Sequence, residues 1–178
     1  GVILKLNLSP GTTAKVLTKA HEIFPYDKYK KFYCHKKNIE KLAKNSETVF
    51  VCVPTPMKPS GEMDYSAIYN SLDLLGEEAK NKGRNLDEIL VVIRSTAVSG
   101  TTDQLAEKYP FPFVFNPEFL REKYALEDMR NTNRIVIGSN NKKNYKKVVE
   151  IYKPLFPNAK YLHCSVKEAD MVKYTANA

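Results

Sequence analysis

A chain of 178 residues is long enough to bury the core of one domain, and 43% hydrophobic with 27% charged residues is the balance of a soluble globular protein rather than a disordered or fibrous one. No apolar run approaches the roughly 20 residues that span a bilayer, no signal peptide is visible, and Cys34, Cys52 and Cys164 stand in no CxxC or metal-ligand spacing. That cysteine usage argues against a disulfide scaffold or a metal site and fits a reducing, cytoplasmic setting, while the net charge of +8 favours an anionic partner without naming it.

In chain order, apolar runs of strand length at 2–8, 22–26, 48–53, 89–94, 113–115, 134–138 and 160–163 alternate with helical patterns. The runs TVFVCV and ILVVI are nearly continuous in β-branched and apolar residues, as expected of parallel strands covered on both faces. Between 26 and 44, lysines interleave with Tyr29, Phe32 and Tyr33. Those rings and charges could serve a nucleic acid, by stacking and phosphate contacts, or the lysines could be the solvated face of a helix that buries Ile39, Leu42 and Ala43. The segment 54–64, PTPMKPSGEMD, reads as a loop released where a strand has ended. Helices are predicted at 65–82, with Ile68, Leu72 and Leu75 on one face and Asp64 as N-cap, and at 102–108, 142–152 and 165–176. Strand–helix alternation of this kind predicts a single α/β domain over 1–178, a Rossmann-like doubly wound, mostly parallel sheet with helices on both faces. Cys52, inside its strand, is expected to be a buried core thiol.

Chemistry in an open α/β sheet collects at the carboxyl ends of the strands. The stretch FNPEFLREKYALED leaves such an end and carries Glu118 and Glu122 four residues apart, either two carboxylates facing a ligand or one solvated face of a surface helix. Pro54-Thr55-Pro56 lines a cofactor groove or merely turns the chain, and Ser95 and Thr96 serve a site, cap the helix that follows Gly100, or do both.

Four segments, VCVPTPMKPSGEMDYSAI, VVIRSTAVSGTT, FNPEFLREKYALED with NRIVIG, and KEADMVKYTANA, resemble in order and spacing the NAD-binding domain of the UDP-glucose/GDP-mannose dehydrogenase family, most closely its UDP-glucose 6-dehydrogenase branch. The resemblance covers about 22–178 and implies NAD as cofactor, a nucleotide sugar such as UDP-glucose as substrate, oxidation of the sugar C6 alcohol toward the acid, and a place in the nucleotide-sugar metabolism that feeds polysaccharide biosynthesis. It implies that Thr96 sits beside the nicotinamide and holds a water, and that Glu118 and Glu122 flank the sugar, with Glu118 as acid–base group. Phe119, Leu120 and Arg121 would pass along the nucleotide sugar, and Lys173 and Asn177, four apart on a helix, would face the reacting oxygen. Gly11, Thr12, Asp27, Val53, Pro54, Thr55, Ser95, Thr96 and Glu122 would line the cofactor, Asp27 taking the adenosine ribose hydroxyls.

The chain departs from that pattern at the dinucleotide fingerprint. Where GxGxxG is expected it reads Leu6-Asn7-Leu8-Ser9-Pro10-Gly11, so one glycine of three remains and weakened NAD binding is expected. Lys123 replaces the glycine usual after FLRE. The family's catalytic cysteine, dimerisation helix and uridine-binding domain would lie beyond Ala178, so oxidation to the acid by this chain alone is not expected, and whether it forms an oligomer stays open. A non-catalytic nucleotide- or partner-binding module derived from the same domain is the alternative, and a nucleic-acid binder built on 26–44 a third.

Overall fold

The structure is a computed structural model, and it describes residues 2–5, 17–98, 100–118, 124–169 and 171. Six strands form one sheet in the order of the chain: β1 (Val2–Lys5), β2 (Thr48–Cys52), β3 (Leu90–Ile93), β4 (Phe113–Phe115), β5 (Arg134–Gly138) and β6 (Lys160–Cys164). β1 to β4 are parallel, β5 runs antiparallel to β4 through the single register pair Phe115–Gly138, and β6 is parallel to β5. The helices are α1 (Lys36–Asn45), α2 (Ser66–Asn81), α3 (Thr101–Lys108), α4 (Ala125–Arg130) and α5 (Lys142–Tyr152), with a 3₁₀ turn at Leu86–Glu88 leading into β3.

Strand alternation distributes these helices over two faces. Val49, Val51, Val91, Ile93, Phe113 and Phe115 point to one side and pack with Ile39, Leu42 and Ala43 of α1, Ile68, Leu72 and Leu75 of α2, and Leu105 of α3. Phe50, Leu90, Val92, Val114, Ile135 and Ile137 point to the other and meet Met129 of α4, Val148 and Tyr152 of α5, and Phe156. Every residue of β3 and β4 is buried, which is why their sequences are apolar without alternation. The lysine-rich helix α1 buries Ile39, Leu42 and Ala43 and exposes Lys36, Lys37, Lys41 and Lys44, so the solvated-face reading holds there.

Several expectations need correction. No strand forms over 22–26, where only Tyr26 carries a bridge pairing; Pro25 has no N–H to give a ladder and fixes its own φ. The N-cap of α2 is Tyr65 rather than Asp64, although the Asp64 carboxylate accepts from the Ser66 N–H at 2.9 Å and so still serves the helix start. That bond holds the Asp64 carboxyl below the usual carboxylate range. Helix α3 starts one residue early, at Thr101, and is capped by Gly100 at φ 90°, a left-handed conformation that glycine adopts without strain, not by Ser95 or Thr96. Cys52 is half-buried against the second core rather than enclosed. Of the helix expected at 165–176, residues 166–169 and 171 are helical and the rest lies outside the described residues.

Two devices lock the sheet where its direction reverses. Gly138, at the end of β5, lies so close to the helix after β6 that a Cβ would stand 2.5 Å from the Ala169 Cβ and 3.2 Å from the Ser165 carbonyl. Beside it, a buried polar cluster ties β3, β4, β5 and α5 together. The Asn116 side chain donates to the Val136 carbonyl at 2.7 Å, the Tyr152 hydroxyl donates to the Asn116 amide oxygen at 2.7 Å, and the Arg94 guanidinium donates to both Asn116 and Tyr152. Burial disfavours the charged form of Arg94, yet its neighbours Tyr152, Glu118 and Cys52 outweigh that and hold its pKa above the ordinary arginine range. Burial likewise pushes the Tyr152 hydroxyl up to about 12, the adjacent Arg94 charge offsetting part of the effect.

Two predictions follow from these locks. Gly138→Val should destabilise the fold by about 1–3 kcal/mol through overpacking against backbone that cannot retreat, read as a lower urea midpoint with an unchanged slope. Because Tyr152 keeps its proton in the folded state above the pH at which an unfolded tyrosine loses it, its contribution is full below pH about 10 and fades as pH rises through about 12. Urea titrations at pH 9 and pH 11.5 should therefore show wild type losing more stability over that window than Tyr152→Phe does.

Candidate active site

Parallel strands that end in register place their following loops side by side. Val51 pairs with Ile93 and Ile93 with Phe115, so the residues just beyond β2, β3 and β4 share one rim of the sheet. Val53, Pro54 and Thr55 come from the first of these, Ser95 and Thr96 from the second, and Asn116, Pro117 and Glu118 from the third. The rim is stitched by side chains. The Ser95 hydroxyl accepts from the Val53 N–H at 2.8 Å and lies 2.7 Å from the Val53 carbonyl, to which it donates. The Thr55 hydroxyl donates to the Thr96 carbonyl at 2.8 Å, and the Tyr65 hydroxyl accepts from the Val98 N–H at 2.8 Å. Ser95 is thus buried and committed to the backbone, while Thr96 projects into solvent with its own carbonyl pinned from behind.

One strand over, Glu118 sits at the mouth of the buried cluster. Its Oε2 accepts from Arg94 Nη2 at 3.1 Å, and its side chain remains 37% exposed against 6% for the arginine. A cavity of about 230 Å³ opens here, lined among others by Arg94, Glu118, Asp128, Arg134 and Tyr152. Thr96 is not among the residues lining it, and Thr96 and Glu118 take neighbouring places on the rim. A partly wet carboxylate held by a buried cation can take or give a proton at a ligand resting on the rim.

Asp27 is the described residue that the resemblance sets at the adenosine end of a dinucleotide. It is 2% exposed, its Oδ1 accepts from the Tyr29 N–H at 2.9 Å, and its Oδ2 is enclosed with no hydrogen-bond partner among the described residues. A buried carboxylate oxygen lacking a donor is costly, and a ribose hydroxyl is the kind of donor that would satisfy it. That fits a nicotinamide dinucleotide. Gly11, Thr12, Phe119, Leu120, Arg121, Glu122, Lys123, Lys173 and Asn177 lie outside the described residues, and with them the glycine fingerprint.

The sequence reading passed over Arg94, Asn116 and Tyr152. A signal was present for the first: an arginine set directly behind the apolar run ILVVI has to be either exposed or paired. Tyr152 continues the row of Val148 at a spacing of four on α5, which marks it as buried but says nothing of its hydroxyl. Asn116 stood inside the FNPEF motif without a role of its own.

Among the described residues no helix is long and apolar enough to cross a membrane. Residues 11–156 match the UDP-glucose/GDP-mannose dehydrogenase family, NAD binding domain. The UDP-glucose 6-dehydrogenase of Rickettsia bellii (strain RML369-C) is 39% identical over 141 residues, covering 76% of this chain and 31% of that protein. UDP-glucose 6-dehydrogenase TuaD of Bacillus subtilis (strain 168) is 31% identical over 150 residues, 79% of this chain and 31% of that protein. Among solved structures, a UDP-glucose dehydrogenase from the archaeon Pyrobaculum islandicum superposes with a TM-score of 0.77 at 26% identity, covering 99% of this chain and 49% of that one. A ternary complex of GDP-mannose dehydrogenase from Pseudomonas aeruginosa does so at 0.80 and 24% identity, with the same coverage, which speaks for the fold. The chain thus spans 31% of the length of these curated relatives. With a match this long and the rim geometry that accompanies it, the chain belongs to the UDP-glucose/GDP-mannose dehydrogenase family, in its NAD-binding domain.

Proposed function

We propose that this chain is the cofactor-binding part of an NAD-dependent nucleotide-sugar 6-dehydrogenase, holding NAD along the rim beyond β2 and β3 and presenting the C6 alcohol of UDP-glucose or a related sugar to Glu118. The observation that carries the reading is the adjacency of two features on one rim: an exposed Thr96 on a loop pinned by Thr55 and Ser95, and an arginine-held carboxylate one strand away. NAD, when bound, accepts the hydride. What the chain itself supplies is a fixed surface for the cofactor, an acceptor for a ribose hydroxyl at Asp27, and a carboxylate for the proton that the alcohol oxygen must lose. Glu122, Lys173 and Asn177 belong to the same proposal, Lys173 as the cation that steadies the developing oxyanion. Two of the three fingerprint glycines are missing from the sequence, so NAD binding weaker than in a chain with all three is part of the reading.

Calorimetric titration tests it. NAD should bind, and NADP should bind at least about 10-fold more weakly because Asp27 opposes a 2′-phosphate. Asp27→Asn should weaken NAD by about 10-fold, the worth of a charge-assisted hydrogen bond, while thermal melts show no loss of stability because the Tyr29 N–H keeps its acceptor. Absence of any heat with millimolar NAD, with or without UDP-glucose, would sink the cofactor assignment and leave the non-catalytic module as the better reading. Glu118→Gln should leave NAD affinity within about twofold and abolish NAD reduction by UDP-glucose wherever wild type shows it, a loss of about 100-fold or more.

A further inference from the structure

Glu118 is read above as the group facing the reacting alcohol, and the inference that follows rests on that reading. We propose that Arg94 and Tyr152 are positioning residues for Glu118: from a platform inside the sheet they hold its Oε2 in one place at the rim.

The geometry begins with the guanidinium. Its three nitrogens lie in one plane, so fixing the direction of one N–H group fixes the others. Nη1 is held twice, by the Asn116 amide oxygen and by the Tyr152 hydroxyl at 2.8 Å, and these two are themselves joined at 2.7 Å. Asn116 is anchored in turn to the Val136 carbonyl of β5 and by its own N–H to the Ile93 carbonyl of β3 at 2.9 Å. The Tyr152 ring is wedged edge-on against Phe50, with centroids 6.0 Å apart, and touches Phe156. Every atom behind Nη1 is therefore placed by packed core. Nη2, on the same rigid plane, then meets Glu118 Oε2 at 3.1 Å.

Stability alone does not account for this arrangement. Arg94 is buried with its Nε enclosed and unpartnered, while its carboxylate partner is partly wet. Buried ion pairs are commonly replaceable by apolar side chains at no cost in stability, so the charge by itself is a weak reason for the arrangement. A glutamate on a loop otherwise samples many rotamers, and holding it in one costs about 1–2 kcal/mol of side-chain entropy that the buried platform supplies in advance. Lysine could provide the charge at this position but not the plane. Asp128 and Arg134 are the other charged groups among the described residues lining the cavity.

Carboxyl-¹³C-glutamate labelling of the whole chain gives a readout that needs no turnover, with the Glu118 resonance assigned by its loss in Glu118→Gln. Arg94→Lys, which keeps a cation, should move that resonance toward the position shared by exposed glutamates, as should Arg94→Met. Tyr152→Phe keeps the ring packed and removes only the hydroxyl, and should move it part of the way. A Glu118 resonance unmoved in Arg94→Lys and Tyr152→Phe, with melts showing both folded, overturns the proposal even if Arg94→Met fails to fold. Where wild type reduces NAD with UDP-glucose, Arg94→Lys should lower kcat by roughly 10- to 100-fold with KM within about twofold, the signature of misplacement rather than lost binding. A rise in KM with kcat intact would count against positioning. Absence of NAD binding by a wild type whose Glu118 resonance still follows Arg94 would refute the proposed cofactor role while upholding the platform.

Discussion

A guanidinium taken out of water must be surrounded by groups that accept from it, and Arg94 imposes that demand on the centre of this molecule. It is 6% exposed at the end of a strand whose four residues are all buried, so its hydrogen bonds have to come from neighbouring elements rather than from solvent. Asn116 from the strand beside it and Tyr152 from the helix on the second face supply them. Meeting the demand brings β3, β4 and α5 to one point. Asn116 then reaches across to β5, whose only register pair with β4 is Phe115–Gly138. Removing one partner would strand the others, which is why such a cluster resists piecemeal change far more than its net contribution to stability would suggest.

The rim owes its form to the same economy of polar groups. Beyond the last ladder bonds the backbone has donors and acceptors without strand partners, and hydroxyls fill the gaps: Ser95 closes on Val53, Thr55 on Thr96, Tyr65 on Val98. Those bonds use the backbone of the Thr96 loop and leave the Thr96 side chain facing solvent. A loop fixed from behind and open in front is preorganised for a ligand, because little further ordering is needed when one arrives. Asp27 follows the opposite pattern. One of its oxygens is used by the adjacent turn and the other is enclosed without a donor among the described residues.

Much of this was legible in the sequence, and the limits have physical causes. TVFVCV and ILVVI announced buried parallel strands because a strand covered on both faces has no polar side to show, and both formed within a residue of their expected ends. The spacing of Ile39, Leu42 and Ala43 marked the face that α1 buries, though not what its lysines meet. Glu22 to Tyr26 misled because β-propensity reports how a side chain suits a half-buried pleat, whereas Pro25 decides whether the backbone can join a ladder. The caps shifted because Asp64 reaches the α2 start from outside the cap position and because Gly100, with no side chain to advertise, begins α3. Glu118 could be named from its motif. The cluster behind it could not, since Tyr152 lies 58 residues from Arg94 and only the packing of α5 on the second face brings them together.

That long-range closure bears on how the site divides its labour. Thr96 and Glu118 stand on loops, where sequence is free to vary, while Arg94 and Asn116 stand at strand ends and Tyr152 on a helix packed in the second core. Phe50 and Tyr152 show the connection most directly: the ring that fills the core beneath β2 packs against the ring whose hydroxyl steadies Arg94, and Arg94 in turn grips Glu118. A change in core volume at Phe50 would therefore be felt at the rim as a change of angle rather than as a lost contact, since close-packed interiors pass displacement along instead of absorbing it. Core packing and rim chemistry are in this domain parts of one chain of contacts, and the buried cation is the link that makes them so.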